Sequence, residues 1–270
     1  MAPLAFFLPA ATGQRFCLFH PAAAAAAKGV VLYLHPFAEE MNKSRRMAAL
    51  QAKALAAANY AVLQMDLHGC GDSSGDFGDA IWASWQDDVA LACAWLREQS
   101  SAPLWLWGLR AGCLLAAEAA PALPEPPNFL FWQPATTGKQ HLQQFLRLKM
   151  AGELLSGNAK GTMEALRKEL GAGKAVEIAG YTLSAGLANG MEKAELLPRS
   201  APARLVWIEL SSRPEATLSP ASRKYLGEWQ KAGHATADAV VTGPAFWQTT
   251  EIEEAPALLA ATLTALEAGH

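Results

Sequence analysis

Four continuous apolar runs, each separated from the next by a stretch of helical periodicity, narrow the choice of fold more than anything else in this chain. Lys28 to Leu34 (KGVVLYL), Tyr60 to Met65 (YAVLQM), Leu104 to Trp107 and Phe129 to Trp132 show no polar alternation. A strand that reads apolar on both sides is buried on both faces, which is the environment of a parallel sheet covered by helices. A helix is expected over about Ser44 to Asn59, with Met47, Leu50, Ala54 and Leu55 along one side. In the next helix Ile81, Trp85, Val89, Cys93 and Leu96 recur every three or four residues, one face of a 3.6 period. A third runs from Ala111 to Ala120. Before all of these, Leu4 to Leu8 and Arg15 to His20 flank Thr-Gly at 12–13 and read as a β-hairpin. The rhythm breaks over 135–200 and resumes with a strand at Leu205 to Glu209, a helix at Ala221 to Ala232, a strand at Ala237 to Val241 and a helix at Glu254 to Leu266. The expectation is a three-layer α/β fold, with a mostly parallel sheet, helices on both faces, a core formed by 1–134 and 201–270, and an inserted helical lid over 135–200.

Composition removes several classes. Of 270 residues, 51% are apolar and 17% charged, which excludes an intrinsically disordered chain. Lys and Arg number 22 against 25 Asp and Glu, a net charge of -3, without the basic excess of a nucleic-acid binder. Cys17, Cys70, Cys93 and Cys113 are scattered without CxxC spacing, so neither a metal site nor a disulfide framework is expected. Gly69-Cys70-Gly71 lacks the third glycine of a dinucleotide loop, no P-loop is present, and no cofactor is expected. The apolar start from Met1 to Pro9 has no basic region ahead of it, and no run approaches the length that spans a bilayer. A cytoplasmic protein, not membrane-spanning, is expected. Within 135–200, 9 Lys and Arg face 6 Asp and Glu, so a basic insert lies on an acidic core.

The chemistry concentrates at three places. Gly108-Leu109-Arg110-Ala111-Gly112 lies directly between a short buried strand and a helix. This is the G-x-S-x-G nucleophile elbow in its proper context, with Arg110 where the nucleophile belongs. Leu34-His35-Pro36-Phe37 follows the first long strand, where a loop normally donates an oxyanion-hole N–H. By position the backbone amides of Phe37 and Ala111 would form that hole. Asp66-Leu67-His68-Gly69-Cys70-Gly71-Asp72-Ser73 follows the second. It is similar to the D-x-R-G-x-G-x-S stretch of α/β-hydrolases.

The chain thus resembles an α/β-hydrolase and, more narrowly, the exosortase A system-associated hydrolase 2 family. The narrower resemblance rests on His35-Pro-Phe-Ala-Glu-Glu-Met-Asn-Lys-Ser-Arg-Arg46, on Trp107-Gly-Leu-Arg-Ala-Gly112, and on Trp132-Gln-Pro134 followed by Gly138-Lys-Gln-His141 and Phe145-Leu-Arg147. It implies a bacterial protein associated with PEP-CTERM sorting and exopolysaccharide production, with no defined substrate.

The rest of a catalytic triad is hard to find. In this fold the acid follows a late strand and the histidine the last one, in the chain order Ser, Asp/Glu, His. Glu215 is the carboxylate placed for the acid. The histidine position holds Phe246 or Trp247, while His234 precedes the last strand and His270 ends the chain. Loss of a serine nucleophile costs about 10⁶ in turnover, and Arg, protonated up to a pKa of about 12, cannot replace it. Three readings remain. Arg110, with the helix N-terminus behind it, forms a pocket for an anionic small molecule, an acidic sugar or an acylated ligand, lined by Arg110, His35, Phe37, Ala111, Glu40 and Trp247. Alternatively, Arg110 is plugged by Glu39, Glu40 or Asp72 in a sealed scaffold. In the third reading, a displaced nucleophile among Cys70, Ser73 and Ser74, served by His35 or His68, keeps an ester or acyl hydrolase alive. The first and second make the chain a pseudoenzyme with a degenerate triad.

Overall fold

The computed structural model describes residues 2–155 and 161–268. Met1, Lys160 and His270 lie outside them. Eight strands form one sheet in the order β1-β2-β4-β3-β5-β6-β9-β10. β1 (Leu4–Pro9) and β2 (Gln14–His20) are the expected hairpin, and β2 runs antiparallel to β4 (Tyr60–Met65). From β4 onward the sheet is parallel, through β3 (Gly29–Leu34), β5 (Leu104–Leu109), β6 (Asn128–Trp132), β9 (Arg204–Ser211) and β10 (Ala235–Thr242).

The apolar runs are continuous because each strand feeds two cores. Along β3, Val30, Leu32 and Leu34 join one cluster and Val31 and Tyr33 the other. Along β5, Leu104 and Leu106 face one way, and Trp105, Trp107 and Leu109 the other. The second cluster is closed by α1 (Glu39–Ala57) and α8 (Pro256–Glu267). The first is closed by α2 (Trp82–Gln99), α3 (Ala111–Ala119) and α7 (Pro220–Lys231). Between β6 and β9 the chain inserts α4 (Gly138–Leu155), α5 (Thr162–Gly171), a short hairpin of β7 (Val176–Ile178) and β8 (Tyr181–Leu183), and α6 (Ala185–Lys193). These elements pack on one another, and α6 also packs on α2. Of Leu142, Phe145, Leu146 and Met150, whose spacing along α4 predicts one buried face, the first three are buried and Met150 is half-buried. Among the described residues no helix is long and apolar enough to cross a membrane.

One helix begins earlier than its sequence suggests. α1 starts at Glu39, not Ser44, so Glu39 and Glu40 sit in its first turn and not on a loop. The sequence carries no Ser, Thr, Asp or Asn cap there. Its N-cap is Ala38, held at φ 50° and ψ -121°. Carboxylates in a first turn are favoured by the helix dipole, and this start brings Glu40 to the carboxyl end of the sheet.

Candidate functional site

The elbow forms as its glycines require. A Cβ on Gly108 would sit 2.5 Å from the amide nitrogen of Cys113, and one on Gly112 would sit 2.1 Å from the carbonyl oxygen of Leu34. Both distances are closer than any side chain tolerates, so only glycine lets α3 lie this near β3 and β5. Arg110 is the N-cap of α3, at φ 56° and ψ -116°. A non-glycine residue in that region costs about 1–3 kcal/mol, and such strain belongs to the turn that raises a nucleophile above an α/β-hydrolase sheet. Arg110 is therefore held in the strained turn between β5 and α3.

Arg110 is internally bound. Its Nε donates to Glu40 Oε1 at 3.2 Å and its Nη2 to Gln144 Oε1 at 3.2 Å. The indole of Trp247 lies over it, 5.6 Å from the guanidinium carbon, within the range of a cation–π contact. Trp247 thus occupies the loop after the last strand, while Phe246 packs on Trp132. Of the two residues expected at the histidine position, Trp247 is the one that meets the elbow. Glu39 and Asp72 take no part in an ion pair with Arg110.

His141, from α4, completes this cluster; in the sequence it stands only within the Gly138–His141 motif, with no site role assigned. It is 5% exposed, and its Nε2 lies 3.9 Å from Glu40 Oε2. That is too far for a hydrogen bond. Burial, aided by the positive charge of Arg110, pushes the imidazole down to about 3, so it is neutral near pH 7. Burial pushes the Glu40 carboxyl up to about 7, against the pull of Arg110. Glu40 Oε2 and His141 Nδ1 have no hydrogen-bond partner among the described residues. A cavity of about 280 Å³ adjoins them, walled by Phe37, Phe145, Trp247, Glu39 and Lys43 among others. A second, of about 160 Å³, opens on the Arg110 side, and His141 and Gln144 line both.

The His141 titration gives a stability prediction with a definite sign. Its folded value lies below its ordinary 6.5, so the native state resists protonation that the unfolded chain accepts. The stability it confers is present above pH 6.5 and lost as pH falls toward 3. The protein should lose more stability between pH 7 and pH 4 than a His141→Gln variant, measured by urea unfolding at the two values. An equal loss would show that His141 is not held neutral.

The remaining expected residues are placed as follows. Among the described residues, neither the Phe37 amide nor the Ala111 amide has a hydrogen-bond acceptor. His35 is buried, donates from Nδ1 to the Pro36 carbonyl at 2.8 Å and accepts the Leu67 amide on Nε2 at 3.3 Å. It ties the loop after β3 to the loop after β4. Glu215 is exposed, at φ 57°, and makes no contact with a histidine. The displaced nucleophiles are likewise occupied. Burial pushes the Cys70 thiol far up, away from the reactive thiolate. Ser73 Oγ donates to the Asp66 carbonyl and accepts the Phe16 amide, and Ser74 Oγ accepts the Gln14 amide at 3.0 Å. The His68 backbone is held by Asp88 and Trp85. Each group stitches the Gly-rich loop to its neighbours.

Residues 25–165 match the family described as serine aminopeptidase, S33. No curated protein matches the sequence. Among solved structures, Est1E from Butyrivibrio proteoclasticus with bound ferulic acid superposes with a TM-score of 0.67 at 13% identity, over 97% of this chain and 98% of that one. A soluble variant of monoglyceride lipase from Saccharomyces cerevisiae, in complex with a substrate analogue, gives 0.65 at 13% identity over 99% and 95%. XC6422 from Xanthomonas campestris, an α/β serine hydrolase without a lid, gives 0.59 at 14% identity over 99% and 94%. At these identities the likeness is one of fold, the α/β-hydrolase fold.

Proposed function

The chain belongs to the serine aminopeptidase S33 family, and from that premise we propose that it binds a ligand at the elbow without hydrolysing it. The observation that carries this reading is the Arg110 guanidinium in the nucleophile's place, held by Glu40 and Gln144 and covered by Trp247. Acyl transfer needs a nucleophile and a base that takes its proton. A guanidinium is neither, and Trp247 has no basic nitrogen. The imidazole of His141 is neutral and held on α4 beside Glu40. The ligand in this reading is anionic. Arg110 retains N–H donors beyond those given to Glu40 and Gln144, and it caps the N-terminus of α3, where negative charge is favoured. The elements between β6 and β9 would act as the lid over this pocket. The resemblance to exosortase-associated hydrolases would set the binding in protein sorting or exopolysaccharide work, with an acidic sugar or an acylated molecule as ligand.

Restoring only the nucleophile tests the reading. An Arg110→Ser variant should remain at background on a panel of short acyl esters, because no base stands where the serine proton must go. Turnover more than about tenfold above that of the parent protein would mean that a base is in reach, and the proposal would fail.

A further inference from the structure

The smaller, 160 Å³ cavity shares His141 and Gln144 with the larger one but differs from it in the rest of its lining. Arg110, Thr136, Thr137, His141, Ser219 and Ser222 contribute to its wall, and no carboxylate does. Three helix starts meet there. Arg110 caps α3, Thr137 precedes α4 and accepts the Gln140 amide, and Ser219 caps α7. Each helix has nine or more residues, and each start contributes partial positive charge. Glu40 binds the Nε side of Arg110 and does not line this cavity. The Nη1 donors have no partner among the described residues. His141 is a separate sign of a ligand, since it is buried, lines the cavity and leaves Nδ1 without a partner.

We propose that this cavity holds a tetrahedral oxyanion, the phosphate or sulfate group of the ligand. The inference rests on the reading that Arg110 has replaced a nucleophile and binds ligand instead of cleaving it. Hydroxyl-bearing residues line it from two separate segments, Thr136 and Thr137 before α4 and the Ser219–Ser222 pair at the start of α7, whose oxygens lie 2.9 Å apart. The guanidinium contributes from a third element. Donors from three segments suit an anion with oxygens in several directions, whereas a planar carboxylate would be satisfied by the guanidinium fork alone.

Calorimetric titration of the full chain with inorganic phosphate, sulfate and acetate tests this. Phosphate and sulfate should each saturate one site, and acetate should bind at least about tenfold more weakly. Thr136→Val and Ser222→Ala should each weaken phosphate by about tenfold. The Thr136 hydroxyl has no partner among the described residues, so that variant leaves both helix caps intact. Glu40→Gln, which removes the carboxylate competing for Arg110, should tighten phosphate by about tenfold. Lys43→Met, in the wall of the larger cavity, should leave it unchanged. Failure to saturate, insensitivity to both hydroxyl variants, an equal loss in Lys43→Met, or acetate binding as tightly would each overturn the assignment. Absent phosphate binding without ester turnover would sink this inference alone, whereas ester turnover by the unaltered protein would sink the reading beneath it.

Discussion

An Arg110→Met variant is expected to lose up to about 1.4 kcal/mol more stability at pH 8 than at pH 5, the limit set by the one pH unit between pH 8 and the Glu40 value of about 7 in the parent protein. The pH dependence follows from Glu40, whose side chain is 8% exposed and loses its nearest cation in the variant. With Arg110 present, its folded value is about 7 against an ordinary 4.5. A folded value above the unfolded one means that the native state holds its proton while the unfolded chain releases it. Stability therefore falls as pH rises through this window. Without Arg110 the folded value rises further, so the penalty grows toward pH 8 and shrinks at pH 5, where Glu40 is protonated. Urea unfolding of both proteins at the two pH values measures the difference. A loss that is equal at pH 5 and pH 8 would show that Glu40 does not depend on Arg110.

The second large effect lies away from the elbow. Arg15 on β2 and Asp88 on α2 meet at 2.6 Å with side chains 3% exposed, and Asp88 also accepts the His68 amide at 2.7 Å. Asp88→Leu strands a buried guanidinium and a buried N–H together, and should lower stability by about 3–5 kcal/mol. Replacing both partners, Arg15→Met with Asp88→Leu, should recover much of that loss, because no uncompensated charge remains. A single variant within about 1 kcal/mol of the parent in urea would contradict this account of the pair.

The contrast between these two sites shows what the sequence made legible. The parallel sheet could be read from runs such as KGVVLYL, because burial on both faces leaves a local trace. The elbow could be read for the same reason: Gly108 and Gly112 are fixed by a close approach within a few residues. The sequence offers three carboxylates as partners for Arg110, and the early start of α1 selects Glu40. That start rests on Ala38, whose strained backbone leaves no signature in its side chain. Neither His141 nor Gln144 has a site role that the sequence can show, because both reach the elbow only once α4 packs against α3. The Arg15–Asp88 pair spans 73 residues and no local pattern announces it. Chain order alone points to Glu215; the structure leaves it exposed and, among the described residues, without an ion pair to a histidine.

The most direct test of the central claim is intact-mass analysis of the unaltered protein after exposure to a fluorophosphonate, with ester turnover followed in parallel. A protein whose elbow presents a guanidinium should take up no fluorophosphonate and show no turnover above background. A single stoichiometric adduct on one serine, accompanied by turnover, would contradict the account and identify the nucleophile that this reading says is absent.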